Sequence, residues 1–172
     1  LYPPDADPLG AAASRLLDGE IVAIKGLGGF HLACDATNAA AIDRLRARKR
    51  RPTKPLALMA NEAVLAQHAA PSAAQWARLK DPAAPIVLIP RRDALPLSVA
   101  PGVPELGWML PYTPLHHLLL ARVGRPLVMT SGNLSGEPQV IANGEAQAKL
   151  RGIADAILMH DRDIARRLDD SV

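Results

Sequence analysis

EIVAIKGLGGFHLACDATN, residues 20 to 38, decides the fold class. Its opening, Glu20-Ile21-Val22-Ala23-Ile24-Lys25, is a short apolar run rich in branched side chains, which predicts a buried strand. Gly26-Leu27-Gly28-Gly29 follows as a glycine-rich turn. A helix is predicted from about Thr37, with Ala41, Ile42 and Leu45 on one side and arginines on the other. Upstream, Asp7-Pro8 leads an Ala/Leu stretch that ends at Asp18-Gly19, which supplies the N-cap, first-turn proline and C-terminal glycine of another helix.

Downstream, further strands are expected at Leu56 to Ala60, Pro85 to Ile89, Trp108 to Leu110, Pro126 to Thr130 and Ala156 to Met159. Ser72 caps a helix through Trp76 and Leu79, Thr113-Pro114 opens one with Leu115, Leu118 and Leu119 at helical spacing, and Asn143 begins the last. Strands alternating with helices indicate an α/β domain, a twisted sheet flanked by helices. The 16 prolines and irregular spacings favour a mixed sheet over a plain doubly wound one. Without an internal repeat, residues 1–172 read as one domain.

A chain of 172 residues that is 49% hydrophobic can bury a full core. It has no apolar run of the roughly 18 to 20 residues needed to span a bilayer and no secretory leader pattern, so no membrane partner is expected. A single cysteine, Cys34, rules out an intrachain disulfide and fits a reducing compartment, and the cytoplasm is the expected location. The net charge is only +3, but seven of the 20 basic residues lie between Arg44 and Lys54 with no acidic residue among them. Such a run serves a solvated helix end, an RNA backbone or a pocket for a polyanion. With aromatic content at 3%, a base-stacking nucleic-acid platform is not expected.

Four segments could carry chemistry. In KGLGGFHLACDATN (25–38) a lysine ends a strand and glycines follow, a spacing that is neither a Walker A loop nor the dinucleotide fingerprint. The turn is as readily structural as functional, and His31 is ambiguous in the same way. In RARKRRPTKPLALM (46–59) a basic helix end meets the Arg51-Pro52 turn; it reads either as a solvated face complementing the helix C-terminus or as cations converging on a concave site. MTSGNLSGEP (129–138) presents Ser131, Asn133 and Ser135 just past a strand, suited to phosphate or ribose but also to a plain turn. MHDRDIARRLDDSV (159–172) has self-compensating charges that form surface ion pairs in the simplest reading. His116 and His117 are expected to pack or face solvent rather than act on a substrate.

Together, in this order and separation, KGLGGFHLACDA, RKRRPTKPLALM, WMLPYTPLHHLLL (108–120), TSGNLSGEP and HDRDIARRLDDSV resemble the YrdC-like domain of the HypF-type hydrogenase maturation carbamoyltransferases. The wider superfamily includes the threonylcarbamoyl-adenylate synthases. The resemblance implies a twisted α/β sheet with a concave basic surface that binds ATP or an acyl adenylate. The family's Lys-x-Arg and Ser-x-Asn signature falls on Lys49 with Arg51 and on Ser131 with Asn133. Lys54 matches a further basic position and Ser171 a serine in the closing segment. Lys25-Gly26-Leu27-Gly28-Gly29 and Met109-Leu110-Pro111 differ from the threonine-using branch.

What the resemblance implies further is a place in a longer protein with acylphosphatase, zinc-binding and metal- and nucleotide-binding neighbours. That protein would use ATP and carbamoyl phosphate to pass a carbamoyl group, through carbamoyl adenylate, to the C-terminal cysteine of a HypE-like acceptor. Here the expected step is attack of carbamate on the α-phosphate of ATP, with Mg2+ accompanying the triphosphate. Lys49, Arg51 and Lys54 would neutralise phosphate charge, Ser131 and Asn133 would hydrogen-bond phosphate or ribose, and Lys25 with Gly28 and Gly29 would sit near the carbamoyl end. Asp169 and Asp170 are open as metal ligands. Rival readings are threonylcarbamoyl-adenylate synthesis, an RNA-binding module and a docking domain without activity of its own.

Overall fold

The computed structural model describes residues 7–92 and 95–168. Helix α1 (Pro8–Leu17) is capped by the Asp7 carboxylate, which accepts the Gly10 N–H. Strand β1 (Val22–Lys25) turns back directly into β2 (Phe30–Asp35), closed by Gly26 N–H donating to Gly29 O at 2.9 Å. Helix α2 (Ala39–Lys49) starts at the Asn38 cap and ends at Arg50, whose φ of 55° breaks the helix in the left-handed region. Then come β3 (Leu58–Met59), α3 (Glu62–His68), α4 (Ala73–Leu79) with a Ser72/Gln75 capping box, β4 (Val87–Pro90) and β5 (Glu105–Met109). Helix α5 (Pro114–Val123), β6 (Leu127–Ser131), α6 (Asn143–Lys149) and β7 (Ala156–Leu158) complete the order.

The seven strands form one mixed sheet in the order β4-β5-β3-β6-β2-β1-β7, parallel at β1/β7 and β3/β5 and antiparallel elsewhere. The expected α/β class with a mixed sheet flanked by helices is what is found. Alternation along the strands divides the core between two faces. Ala23, Phe30, Leu32, Leu58, Trp108 and Val128 pack with α2, α4 and α6, whereas Val22, Ile24, Ala33, Met59, Met109 and Met129 pack with α1 and α5.

Two elements, β2 and α3, are additional to those expected, and others differ in their bounds. Phe30–Asp35 is a central, wholly buried strand that pairs with both β1 and β6. Burial on both faces removes the polar/apolar alternation that would have marked it, and His31 and Asp35 mask its apolar character. Thr37 is not in the following helix, because its N–H and hydroxyl both donate to the Asp35 carboxylate in a turn that hands the cap to Asn38. Helix α3, seven residues capped by Asn61, is not among the expected helices. The expected strand at Leu56 to Ala60 shrinks to Leu58–Met59, and the one at Trp108 to Leu110 starts earlier, at Glu105.

Candidate functional site

Basic residues of the 44–54 run point in different directions, and their partners sort them. Arg46 is buried at 7% exposure and its guanidinium donates to five carbonyls: Ser98, Val99, Arg51, Pro52 and Lys54. It therefore fixes the turn that carries Arg51 and Lys54. Arg44 donates to Gly19 O, and Arg48 is paired with Asp155 at 2.8 Å. Arg50 and Lys54 are exposed.

Lys49 is 1% exposed, and its ammonium donates to Ser131 O (2.6 Å), Asn133 O (2.8 Å) and Asn133 Oδ1 (2.7 Å). Those three acceptors take up its three protons. Burial, with Arg51 close by, pushes this lysine down to about 7, while only the ammonium form satisfies all three oxygens. Asn133 Oδ1 also accepts from the Ser131 hydroxyl at 2.7 Å, and its amide donates to Glu137 O. Lys49 thus pins the loop after β6 to the end of α2. Ser135 N–H donating to Lys49 O at 3.2 Å closes the same junction.

Arg51 is half-buried. Its Nη2 donates to Pro55 O at 2.9 Å and Nη1 reaches Thr130 Oγ1 at 3.4 Å, while Nε has no partner among the described residues. Burial lowers its pKa, the direction expected of a guanidinium short of counter-charge. Arg51, Thr130 and Ser131 line one cavity of about 470 Å3 with Ala57, Ile86, Leu88, Gly107 and Met129, and Glu105 is the one carboxylate among its described lining residues. Lys49, Arg51, Ser131 and Asn133 are therefore brought to one junction, but only Arg51 and Ser131 open on the cavity.

The glycine turn forms a second wall. Lys25 is 2% exposed and donates to His160 O at 3.0 Å. A Cβ on Gly28 would lie 2.4 Å from Leu168 Cβ, and one on Gly29 would lie 2.3 Å from the Gln139 side chain. The glycines allow the closing segment and the β6 loop to press onto the turn: Leu168 N–H donates to Gly28 O, Gln139 Nε2 to Phe30 O, and Arg167 Nε to Gln139 O. Lys25, Gly26 and Leu27 border a cavity of about 500 Å3 with Thr113–Leu115 and the 160–168 segment. Ser171, Asp169 and Asp170 lie outside the described residues.

Thr130 and Gln139 join these walls without a sequence signal. Nothing local marks either one, since their partners Arg51 and Phe30 lie 79 and 109 residues away. His116 is 1% exposed with neither ring nitrogen hydrogen-bonded, set edge-on to Tyr112 at 4.6 Å, and His117 is exposed. Burial first, then His31 and His117, push the His116 imidazole from 6.5 down to about 3. The folded state therefore disfavours its protonation. Stability from this group is complete above about pH 6.5 and is lost as pH falls toward 3. His116→Leu is expected to flatten a plot of unfolding free energy against pH across that window, by at most ~5 kcal/mol. An unchanged slope would show that His116 is not the group responsible.

The Sua5_yciO_yrdC family model, described as "Telomere recombination", matches residues 14–172. Carbamoyltransferase HypF of Rhodobacter capsulatus is 70% identical over 166 residues, covering 96% of this chain and 22% of that protein. The crystal structure of a full-length HypF in its phosphate- and nucleotide-bound form superposes with a TM-score of 0.91 at 42% identity, over 97% of this chain and 27% of that one. A threonylcarbamoyl-AMP synthase of Halorhodospira halophila is 34% identical over 129 residues, 72% of this chain and 68% of the synthase. The chain thus spans about a fifth of the length of the HypF proteins it matches.

Proposed function

The chain belongs to the Sua5/YciO/YrdC family, and from that premise we propose that it forms or relays carbamoyl adenylate within a HypF-type carbamoyltransferase serving hydrogenase maturation. The observation that carries the reading is the cavity in which Arg51 and Ser131, from opposite halves of the sequence, meet beside a loop pinned by Lys49. Its relatives supply the chemistry, carbamoyl transfer in HypF and threonylcarbamoyl-AMP synthesis in the smaller enzymes.

In this reading ATP places its phosphates against Arg51, with Ser131 and Thr130 as hydrogen-bond partners. A carbamate oxygen attacks the α-phosphorus, and the bond to the bridging oxygen breaks to release pyrophosphate. The protein supplies no nucleophile. It holds two anions at reacting distance and offsets the charge that accumulates on the leaving phosphates. Arg51 takes the main share, with exposed Lys54 adding long-range attraction. Lys49 acts through the loop, by presenting Ser131 and Asn133. Lys25 and the Gly28-Gly29 turn lie toward the carbamoyl end.

Among the described residues no group of three or more histidine, cysteine or carboxylate side chains could hold a metal ion. Magnesium brought by ATP would take its ligands chiefly from phosphate and water, with Glu105 the carboxylate nearest to hand on the cavity wall. Carbamate would come from carbamoyl phosphate by way of a neighbouring domain, and the acceptor would be the terminal cysteine of a HypE-like protein. A cytoplasmic setting suits both. No described helix is long and apolar enough to cross a membrane.

The test is pyrophosphate release from ATP by the full-length protein that contains this chain. Release that requires carbamoyl phosphate and ignores threonine supports the reading. Release that requires threonine and bicarbonate assigns the chain to threonylcarbamoyl-adenylate synthesis instead.

A further inference from the structure

We propose that Gln139 is a positioning residue: it locks the glycine turn to the loop after β6, so that an anion held at the turn and a nucleotide held at Ser131 meet at a fixed separation. That the two ligands are carbamate and ATP rests on the adenylate reading above; the lock itself rests on the geometry.

Residues 139 and 140 lie where three parts of the chain meet. The Gln139 side chain is 5% exposed, and its Nε2 donates to Phe30 O at 2.8 Å. Phe30 O also accepts the Gly132 N–H at 2.6 Å, so one carbonyl at the end of the turn receives both the loop after β6 and the glutamine. Val140 answers from the other side: its O accepts the Phe30 N–H at 2.8 Å and its N–H donates to Gly132 O at 2.9 Å. The Gln139 carbonyl accepts Arg167 Nε from the closing segment at 2.8 Å. Gln139 thus belongs to the loop by its backbone and to the turn by its side chain.

The turn is shaped to that side chain. The three atoms nearest to a Cβ built on Gly29 all belong to Gln139, at 2.3 to 2.7 Å. Gly29 is not among the glycines with positive φ, so no left-handed backbone demands a glycine there; the glutamine is what leaves room for hydrogen alone. The other anchors act within one half of the site. Lys49 donates to Ser131 and Asn133 on the nucleotide side, and the turn closes on itself through Gly26 N–H to Gly29 O.

A reaction between two bound anions depends steeply on their separation, and a misplacement of about 1 Å costs on the order of a hundredfold in rate. Stability depends on the glutamine far less, because Phe30 O keeps Gly132 as a second donor when the side-chain amide is removed. The lock therefore shows in rate before it shows in folding.

Gln139→Met in the full-length protein fills the same space without a donor. It is expected to melt within about 4 °C of wild type and to bind a non-hydrolysable ATP analogue with unchanged stoichiometry and an affinity within about threefold. Pyrophosphate release from saturating ATP and carbamoyl phosphate should slow at least about tenfold. Exchange of the Gly26 and Phe30 amide hydrogens should quicken about fivefold, confined to the turn, whereas a general loss of stability would spread over the sheet. Gly29→Ala, which displaces the glutamine, should reproduce the defect, and Gly29→Ala with Gln139→Ala should be no worse than either alone. Wild-type exchange and turnover in Gln139→Met overturn the proposal, as do additive losses in the double variant. Quicker exchange with normal turnover overturns it too, since the lock would then position nothing. The adenylate reading fails separately, by a wild-type requirement for threonine and bicarbonate. The same variants are then compared with those substrates, because the lock concerns the separation of two anions and not their identity.

Discussion

Arg46→Met is expected to lower the unfolding free energy by ~3 kcal/mol, at up to about 1 kcal/mol for each part-buried or buried carbonyl left without its donor. The guanidinium serves five of them, on Ser98, Val99, Arg51, Pro52 and Lys54. Methionine fills the space of the stem but donates nothing. Lysine in its place has three protons for five acceptors and no planar fork, so Arg46→Lys should recover only part of the loss. Chemical denaturation of the three proteins measures this directly. A loss under ~1 kcal/mol for Arg46→Met would mean that water replaces the guanidinium and that the turn is held otherwise. Because that turn carries Arg51, activity should fall together with stability.

Arg51→Ala is the complementary case, with a large expected effect on chemistry and a small one on folding. A charge-assisted contact to phosphate contributes about 1.5 to 3 kcal/mol, so adenylate formation should drop at least tenfold and fall further where water is excluded. The side chain gives up one carbonyl contact, to Pro55 at 2.9 Å, and a long one to Thr130, so the stability cost should be about 1 kcal/mol. Arg51→Lys should keep the charge but lose the fork, giving an intermediate rate at near-normal stability. Pyrophosphate release beside a thermal melt of each variant reads both quantities. Normal turnover by Arg51→Ala would remove it from the phosphate site, and a collapsed melt would make it a second Arg46.

The contrast between those two arginines marks where sequence reading stopped. Both sit in one uninterrupted basic run, and nothing local tells them apart. Arg46 finds Ser98 and Val99 only because a distant turn folds against the end of α2, and Lys49 finds Asn133 from 84 residues away. Long-range acceptors decide which cations are spent on the protein and which are left for a ligand. Local signals fared better. The caps at Asp7, Ser72 and Thr113 each accept the N–H that their position dictates. β1 was legible from its branched residues, whereas β2, buried on both faces, carried no alternation to read. The glycines of the turn read as readily structural as functional; the nearest atoms to a Cβ on Gly28 and Gly29 belong to Leu168 and Gln139.

The most direct test of the central claim is where nucleotide binds. A non-hydrolysable ATP analogue with a methylene bridge between its α- and β-phosphates, titrated into the chain while backbone amide shifts are followed, should perturb Arg51 to Ala57 and Thr130 to Asn133 first. Arg51→Ala should weaken that binding at least about tenfold. Shifts confined to the separate cavity beside Glu62, Lys80 and His117, or equal affinity in wild type and Arg51→Ala, would contradict the account.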